Sequence, residues 1–222
     1  MPQTISRLVI SVFGLMISTI SPVLAGAVDI TSLGHGSLLI KGGGYSVLLN
    51  PFKAVGCAAG LEEPKLNVDI ILASSQLADE GARVAKGTFL VDSGSYRIRG
   101  LNVEGFLVDH DRFGGRRFGK ATIWKWEQGG LNFAHLGGAA AQLTFEDEIL
   151  IGRPDVLIIG VGGGAKIFNG VEAATIVKNL KPKRVIPVNY IKGEPLDNCD
   201  QNGLDLFLES MRDATVKKVG KT

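Results

Sequence analysis

A strand motif that occurs twice constrains the fold of this chain more than any other feature. Asp69-Ile70-Ile71-Leu72 and Asp155-Val156-Leu157-Ile158 stand 86 residues apart. Each is a short apolar run rich in β-branched residues, the pattern of a buried strand. Gly44-Tyr45 and Gly130-Leu131, upstream of each, mark hairpin turns. A helix-like stretch follows each motif, residues 77–85 and 171–180, and then a further strand, residues 88–91 and 184–187. Two β-rich halves with helices outside predict an α/β (α+β) chain folded as a four-layer αββα sandwich. Residues 205–219 intersperse Leu206, Phe207, Met211, Ala214 and Val216 with charge, which predicts a closing amphipathic helix. No Pro- or Ser-rich linker interrupts the chain, so residues 26–222 read as one domain.

The first 25 residues stand apart. Arg7 supplies a positive n-region, residues 8–20 are almost wholly apolar, and Val23-Leu24-Ala25 offers the small residues that a signal peptidase reads. The expectation is a signal peptide over residues 1–25, with cleavage after Ala25 or Ala27; a retained N-terminal anchor is the competing reading. The apolar run is shorter than the about 20 residues of a membrane span, so no stable span is expected after cleavage. The mature chain is then exported, to a bacterial periplasm, outside the cell, or to a thylakoid lumen in a photosynthetic source. With 45% hydrophobic residues, the 222-residue chain can bury a sizeable core. A net charge of +2 gives no electrostatic basis for a nucleic-acid partner.

Further motifs follow in order. Residues 33–40 with Gly42-Gly43-Gly44 form an opening hairpin, and Val47-Leu48-Leu49-Asn50-Pro51-Phe52 is a strand end. The strand at Ile70 leads into Ser74-Ser75-Gln76-Leu77-Ala78-Asp79-Glu80. Residues 129–138 end His135-Leu136-Gly137-Gly138, residues 154–164 follow, and residues 181–190 end Pro187-Val188-Asn189-Tyr190. Together these resemble the metallo-β-lactamase superfamily, in the zinc-dependent hydrolase branch similar to ascorbate phosphate lactonase relatives. Members carry Thr-His-x-His-x-Asp-His where this chain has residues 74–80, an acid at Asn50, His-x-Gly-Asp at residues 135–138 and Pro-x-His-Tyr at residues 187–190. The resemblance covers nearly the whole mature chain and implies the same sandwich.

It also implies an altered metal site. A two-zinc hydrolytic centre needs imidazoles and carboxylates converging on the ions, with an open position for water. By resemblance, the first zinc falls to Ser75, Leu77 and His110, and the second to Asp79, Glu80 and Asn189. The bridging carboxylate falls on Gly138, which has no side chain. Asp79 and His110 keep the family's residue, while Glu80 and Asn189 are substitutions that still carry oxygen. Such a set suits a hard divalent cation better than zinc. The expectation is no bound cofactor, with zinc or another divalent cation as the alternative. Asp79 has a competing structural reading as the cap of a helix over residues 77–85, with Glu80 in its first turn. His35, between Gly34 and Gly36, and His135 read as structural groups beside the site.

Arg112, Arg116 and Arg117 form the densest basic patch, in a loop that lies near the site mouth in relatives. Arginine forks bind carboxylate or phosphate, so these are candidate anion-binding residues; a solvated hairpin loop is the alternative. Gly162-Gly163-Gly164-Ala165-Lys166 lacks the Gly-Lys-Ser/Thr ending of a phosphate-binding loop. Trp124 and Trp126 share one strand face and read as core. No Gly-x-Ser-x-Gly motif supports a nucleophilic serine. Cys57 and Cys199 follow segments that border the site in relatives, and in an oxidising compartment they are a candidate disulfide; two separate buried thiols are the alternative.

Three functional readings result. The leading one is an exported, non-catalytic protein that binds a small-molecule or protein ligand in the old cleft. The second is a metal-dependent hydrolase whose altered site acts on a phosphorylated or lactone-like small molecule. The third is a structural scaffold.

Overall fold

The computed structural model describes residues 27–194 and 196–220; the expected signal peptide lies outside them. The first sheet comprises β1 (Asp29–Gly34), β2 (Ser37–Gly42), β3 (Tyr45–Leu49), β4 (Asn67–Leu72) and β5 (Lys86–Leu90), paired in that order. The second comprises β6 (Gly94–Ile98), β7 (Leu101–Asp109), β8 (Lys120–Gln128), β9 (Leu131–His135), β10 (Val156–Gly160) and β11 (Arg184–Val188), also paired in chain order.

The internal echo is a structural repeat. β2 and β3 form an antiparallel hairpin, β4 lies parallel to β3, and β5 parallel to β4. β8, β9, β10 and β11 reproduce this arrangement. Both hairpins turn through a glycine pair with positive φ, Gly43-Gly44 and Gly129-Gly130, as a tight hairpin turn requires. Each echoed strand also opens with the same clamp. Asp69 Oδ2 accepts the backbone N–H and the hydroxyl of Ser46 at 2.8 and 2.7 Å. Asp155 Oδ2 accepts the backbone N–H and the side-chain amide of Asn132 at 2.8 and 3.2 Å.

Between the sheets, Leu38, Ile40, Val47, Leu49, Ile70 and Leu72 meet Val103, Trp124, Trp126, Phe133, Ile158 and Val188. Both indoles lie in this layer, as their alternation with Lys125 predicts. Helices α1 (Phe145–Ile151), α2 (Gly170–Leu180) and α3 (Asp205–Ser210) lie on the second sheet's outer side. There Ala173, Ile176 and Val177 of α2 and Phe207 of α3 pack on Ile123, Ala134, Leu157 and Ile159. Asn169 caps α2, accepting the N–H groups of Val171 and Glu172 at 3.0 Å, while Glu172 Oε2 accepts the Asn169 N–H at 2.8 Å.

Two helix expectations are corrected. Residues 77–85 are turns and bends. Only one helix-like turn forms, with Gly81 N–H bonded to Leu77 O at 2.8 Å, before Ala82 N–H is captured by Pro51 O at 2.8 Å. Tertiary hydrogen bonds thus outcompete a short helix, whose own stability is marginal. Among the described residues the α-helices thus all pack on the second sheet, while the connection after β3 carries a 3-10 turn at Gly56–Ala58, and Asp79 does not cap a helix. The closing helix is only α3; of the apolar residues in its pattern Phe207 alone is deeply buried, and Val216 is exposed.

Candidate functional site

The exits of β3, β4, β7, β9, β10 and β11 converge at one edge of the sandwich. The β4 exit is fastened across the two sheets: Thr122 N–H donates to Ser74 O at 2.7 Å, and Trp124 Nε1–H to Ala73 O at 2.9 Å. Asn50, buried at the β3 exit, donates from Nδ2 to Ser74 Oγ at 2.9 Å and accepts Ser74 N–H at 2.8 Å. Gly138 N–H also donates to Ser74 Oγ, at 3.1 Å. His35, Asn50 and Asn189 all have positive φ, at 49°, 40° and 52°. Such backbone strain in non-glycine residues gathers at functional sites.

Two groups of charged and polar side chains occupy this edge. In the inner one, Ser75 Oγ donates to Glu80 Oε1 at 2.6 Å. His110 Nε2 lies 2.8 Å from the same oxygen, off the axis of a straight hydrogen bond. Glu80 and His110 are both buried. Burial pushes the Glu80 carboxyl up, but His110, with Lys166 and Ser75, more than offsets this and holds it down at about 2. Gly138 explains why there is room for this carboxylate. A Cβ there would overlap Glu80 Oε2 and approach His110 Nε2 to 2.7 Å. His135 is buried beside this group with neither ring nitrogen partnered. Burial lowers its pKa to about 4, against the opposing charge of Glu80.

In the outer group, Lys166 Nζ contacts both oxygens of Asp79, at 2.6 and 2.5 Å. His35 Nε2 lies 3.9 Å from Asp79 Oδ2 and 3.2 Å from Asn189 Nδ2. Asn189 Oδ1 is buried without a partner. Burial lowers the His35 pKa, with Asp79 opposing and Lys166 adding to the effect.

The four candidate ligands are therefore split, Glu80 with His110 and Asp79 with Asn189. Among the described residues, no group of three or more His, Cys, Asp or Glu side chains is arranged to hold a metal ion. The arginines do not form a joint rim. Arg112 faces the β10–α2 connection, donating to Ile167 O at 2.9 Å and to Glu172 at 2.5 Å. Arg116 bonds to Phe113 O at 3.0 Å in its own loop, and the Arg117 guanidinium lies 4.9 Å from the Phe118 ring centroid. Asp111 organises this loop by accepting N–H groups of Phe113, Arg117 and Phe118 at 2.7–2.9 Å. Cys57 and Cys199 are joined by a disulfide that links the loops after β3 and β11.

A cleft of about 400 Å³ opens beside the inner group, with Ser75, Leu77, Val91, Leu107, Phe118 and Thr122 among its walls. The Ser75 hydroxyl donates to Glu80 and the Thr122 hydroxyl to Val91 O. The walls are mixed, with Leu77, Leu107 and Phe118 beside Asp92, Ser93 and Lys120.

Residues 29–189 match the family model for the β-lactamase superfamily domain. The chain belongs to this superfamily. It is similar in structure to a protein from Thermotoga maritima assigned as a zinc-dependent hydrolase of the metallo-β-lactamase superfamily, with 25% identity and a TM-score of 0.66 over 82% of this chain and 85% of that one. A protein from Parabacteroides distasonis assigned as a metal-dependent hydrolase shares the fold at 16% identity, with a TM-score of 0.63 over 85% and 90% of the two chains. An isothiocyanate hydrolase from Delia radicum gut bacteria shares it at 13% identity, with a TM-score of 0.62 over 83% and 92%. No curated protein matches the chain significantly.

Sequence reasoning missed Lys166, set aside with the glycine run as an imperfect phosphate loop. Its position after the second echoed strand, opposite Asp79 after the first, was the available signal. The Ser75 hydroxyl was also missed, because that position was considered only as a lost ligand.

Proposed function

We propose that this superfamily member is exported, binds no zinc, catalyses no hydrolysis, and takes a small-molecule or protein ligand in the cleft beside Ser75. The observation that carries this reading is the Glu80 carboxylate, lodged against His110 in the space that a side chain at Gly138 would need. The residues present do not fit a zinc pair. Leu77 brings no donor, Ser75 and His110 are engaged by Glu80, and both Asp79 oxygens face the Lys166 ammonium. The mixed cleft walls, Leu77, Leu107 and Phe118 beside Asp92, Ser93 and Lys120, favour a small ligand with an apolar face and polar groups.

Superfamily membership favours a competing reading, a metal-dependent hydrolase using Asp79, Glu80, His110 and Asn189 on a phosphorylated or lactone-like substrate. Metal content decides between the two. The mature protein, expressed with export and purified without chelator or affinity tag, should contain well under one equivalent of zinc, manganese or iron by mass spectrometry. A near-stoichiometric ion would overturn the metal-free reading and establish the hydrolase as the one to pursue.

A further inference from the structure

Helix α1 turns an apolar face to solvent, away from the site. Phe145, Ile149 and Leu150 are 73%, 61% and 50% exposed, and Phe145 exceeds every other large hydrophobic side chain among the described residues. A spacing of four puts Phe145 and Ile149 on one face, while Ile151 is buried beneath the helix. Gly152 and Arg153 lead into β10 and Lys181 into β11, so this face lies at the entries of strands whose exits form the site. There α1 and the end of α2 enclose a groove of about 280 Å³, with Phe145, Ile149, Gly152, Arg153, Leu180 and Lys181 among its walls. Its two sides are tied together: Asn179 Nδ2–H donates to Glu148 Oε1 at 2.7 Å, and Arg153 Nε–H to Lys181 O at 2.9 Å. Charge along the face runs from negative to positive. The first turn holds Glu146, Asp147 and Glu148. Asp147 serves the Thr144 cap and Glu148 meets Asn179, which leaves Glu146 as the acid turned to solvent. Arg153 and Lys181 are exposed at the other end. A face with an acid at one end, cations at the other and apolar side chains between complements itself when two copies meet antiparallel.

We propose that the α1 faces of two copies of this chain pack antiparallel about a two-fold axis near Ile149. In that register each Phe145 enters the other copy's groove beside Gly152, where the missing side chain leaves room. Each Glu146 meets the Arg153 and Lys181 end of the other copy, and the two Ile149 side chains meet on the axis. One short helix and one groove make a small interface, so the dimer is weak and reversible. It is independent of the cleft beside Ser75 and of its metal content.

The test is sedimentation velocity of the full mature protein over a micromolar to near-millimolar concentration series. The parent should shift reversibly from monomer to dimer. Phe145→Ser/Ile149→Ser, which alters only exposed side chains, should dimerise at least roughly tenfold more weakly. Glu146→Arg and Arg153→Glu should each weaken the dimer, because each sets like charges against one another. Mixing those two variants should restore association, since opposite charges then face each other at both ends of the axis. A parent that stays monomeric throughout overturns the proposal, and co-sedimentation of that monomer with anionic lipid vesicles would assign the face to a membrane surface instead. A dimer that survives Phe145→Ser/Ile149→Ser overturns it as well, and so does one that mixing the charge variants fails to restore.

Discussion

The two echoed units, β2–β5 and β8–β11, begin alike and end differently. Each has a glycine hairpin, a parallel strand and an aspartate clamp on the residue two positions beyond the turn. After β4, the chain runs through polar residues into a turn that points Glu80 inward and brings Asp79 to the site. After β10, it runs through glycines to Lys166 and then into the capped helix α2. Asp79 stands ten residues after Asp69, and Lys166 eleven after Asp155. The two exits thus supply opposite charges from corresponding places, and they pair. A duplicated scaffold fixes where the exits go; the residues placed on them decide whether the edge is a metal centre or self-neutralised.

Removing the inward acid should break the first unit most severely. Glu80→Ala leaves His110 buried without its carboxylate partner, and the loss should be about 3–5 kcal/mol. Urea unfolding at pH 7 measures it, and a loss under 1 kcal/mol would show that the pair contributes little.

The end of β9 allows a comparison by pH. His135 has a folded value of about 4, below the 6.5 of the unfolded chain, so the fold favours its neutral form. The associated stability is fully present above pH 6.5 and is lost as pH falls toward 4, by on the order of 3 kcal/mol. Glu80, depressed from 4.5 to about 2, acts in a lower window, with stability present above 4.5 and lost as pH falls through 2. Urea unfolding between pH 7 and 4 should therefore show a decline that His135→Leu flattens. An unchanged slope in that variant would assign the decline elsewhere.

The smallest effect should come from the helix that only the second unit has. Asn169→Ala removes the acceptor for two amides at the α2 start and should cost about 1 kcal/mol. Amide exchange should quicken in α2 while the Ser46–Asp69 clamp of the first unit stays protected. Equal loosening of both would show that the two units open together.

The echoed strands, both hairpins, the shared face of Trp124 and Trp126, and α2 were legible because each has a local signature in the order of residues, whereas β6 and β7 were not read as strands. Alternation, glycine pairs, and an Asn-x-x-Glu cap before a helical pattern act over a few positions. The turn at residues 77–85 carried a helical pattern that the capture of Ala82 by Pro51 overrode, and that bond joins residues distant in sequence.

Sequence by itself determined the doubled β framework, the superfamily to which it belongs, and the absence of a side chain at Gly138. Those features follow from short-range patterning and from residue identity. Only the tertiary structure decided that Glu80 fills the room beside Gly138, that Lys166 reaches Asp79 across 87 residues of chain, and that Arg112 braces the β10–α2 connection. Charge pairing depends on distances through space, which the order of residues alone does not supply.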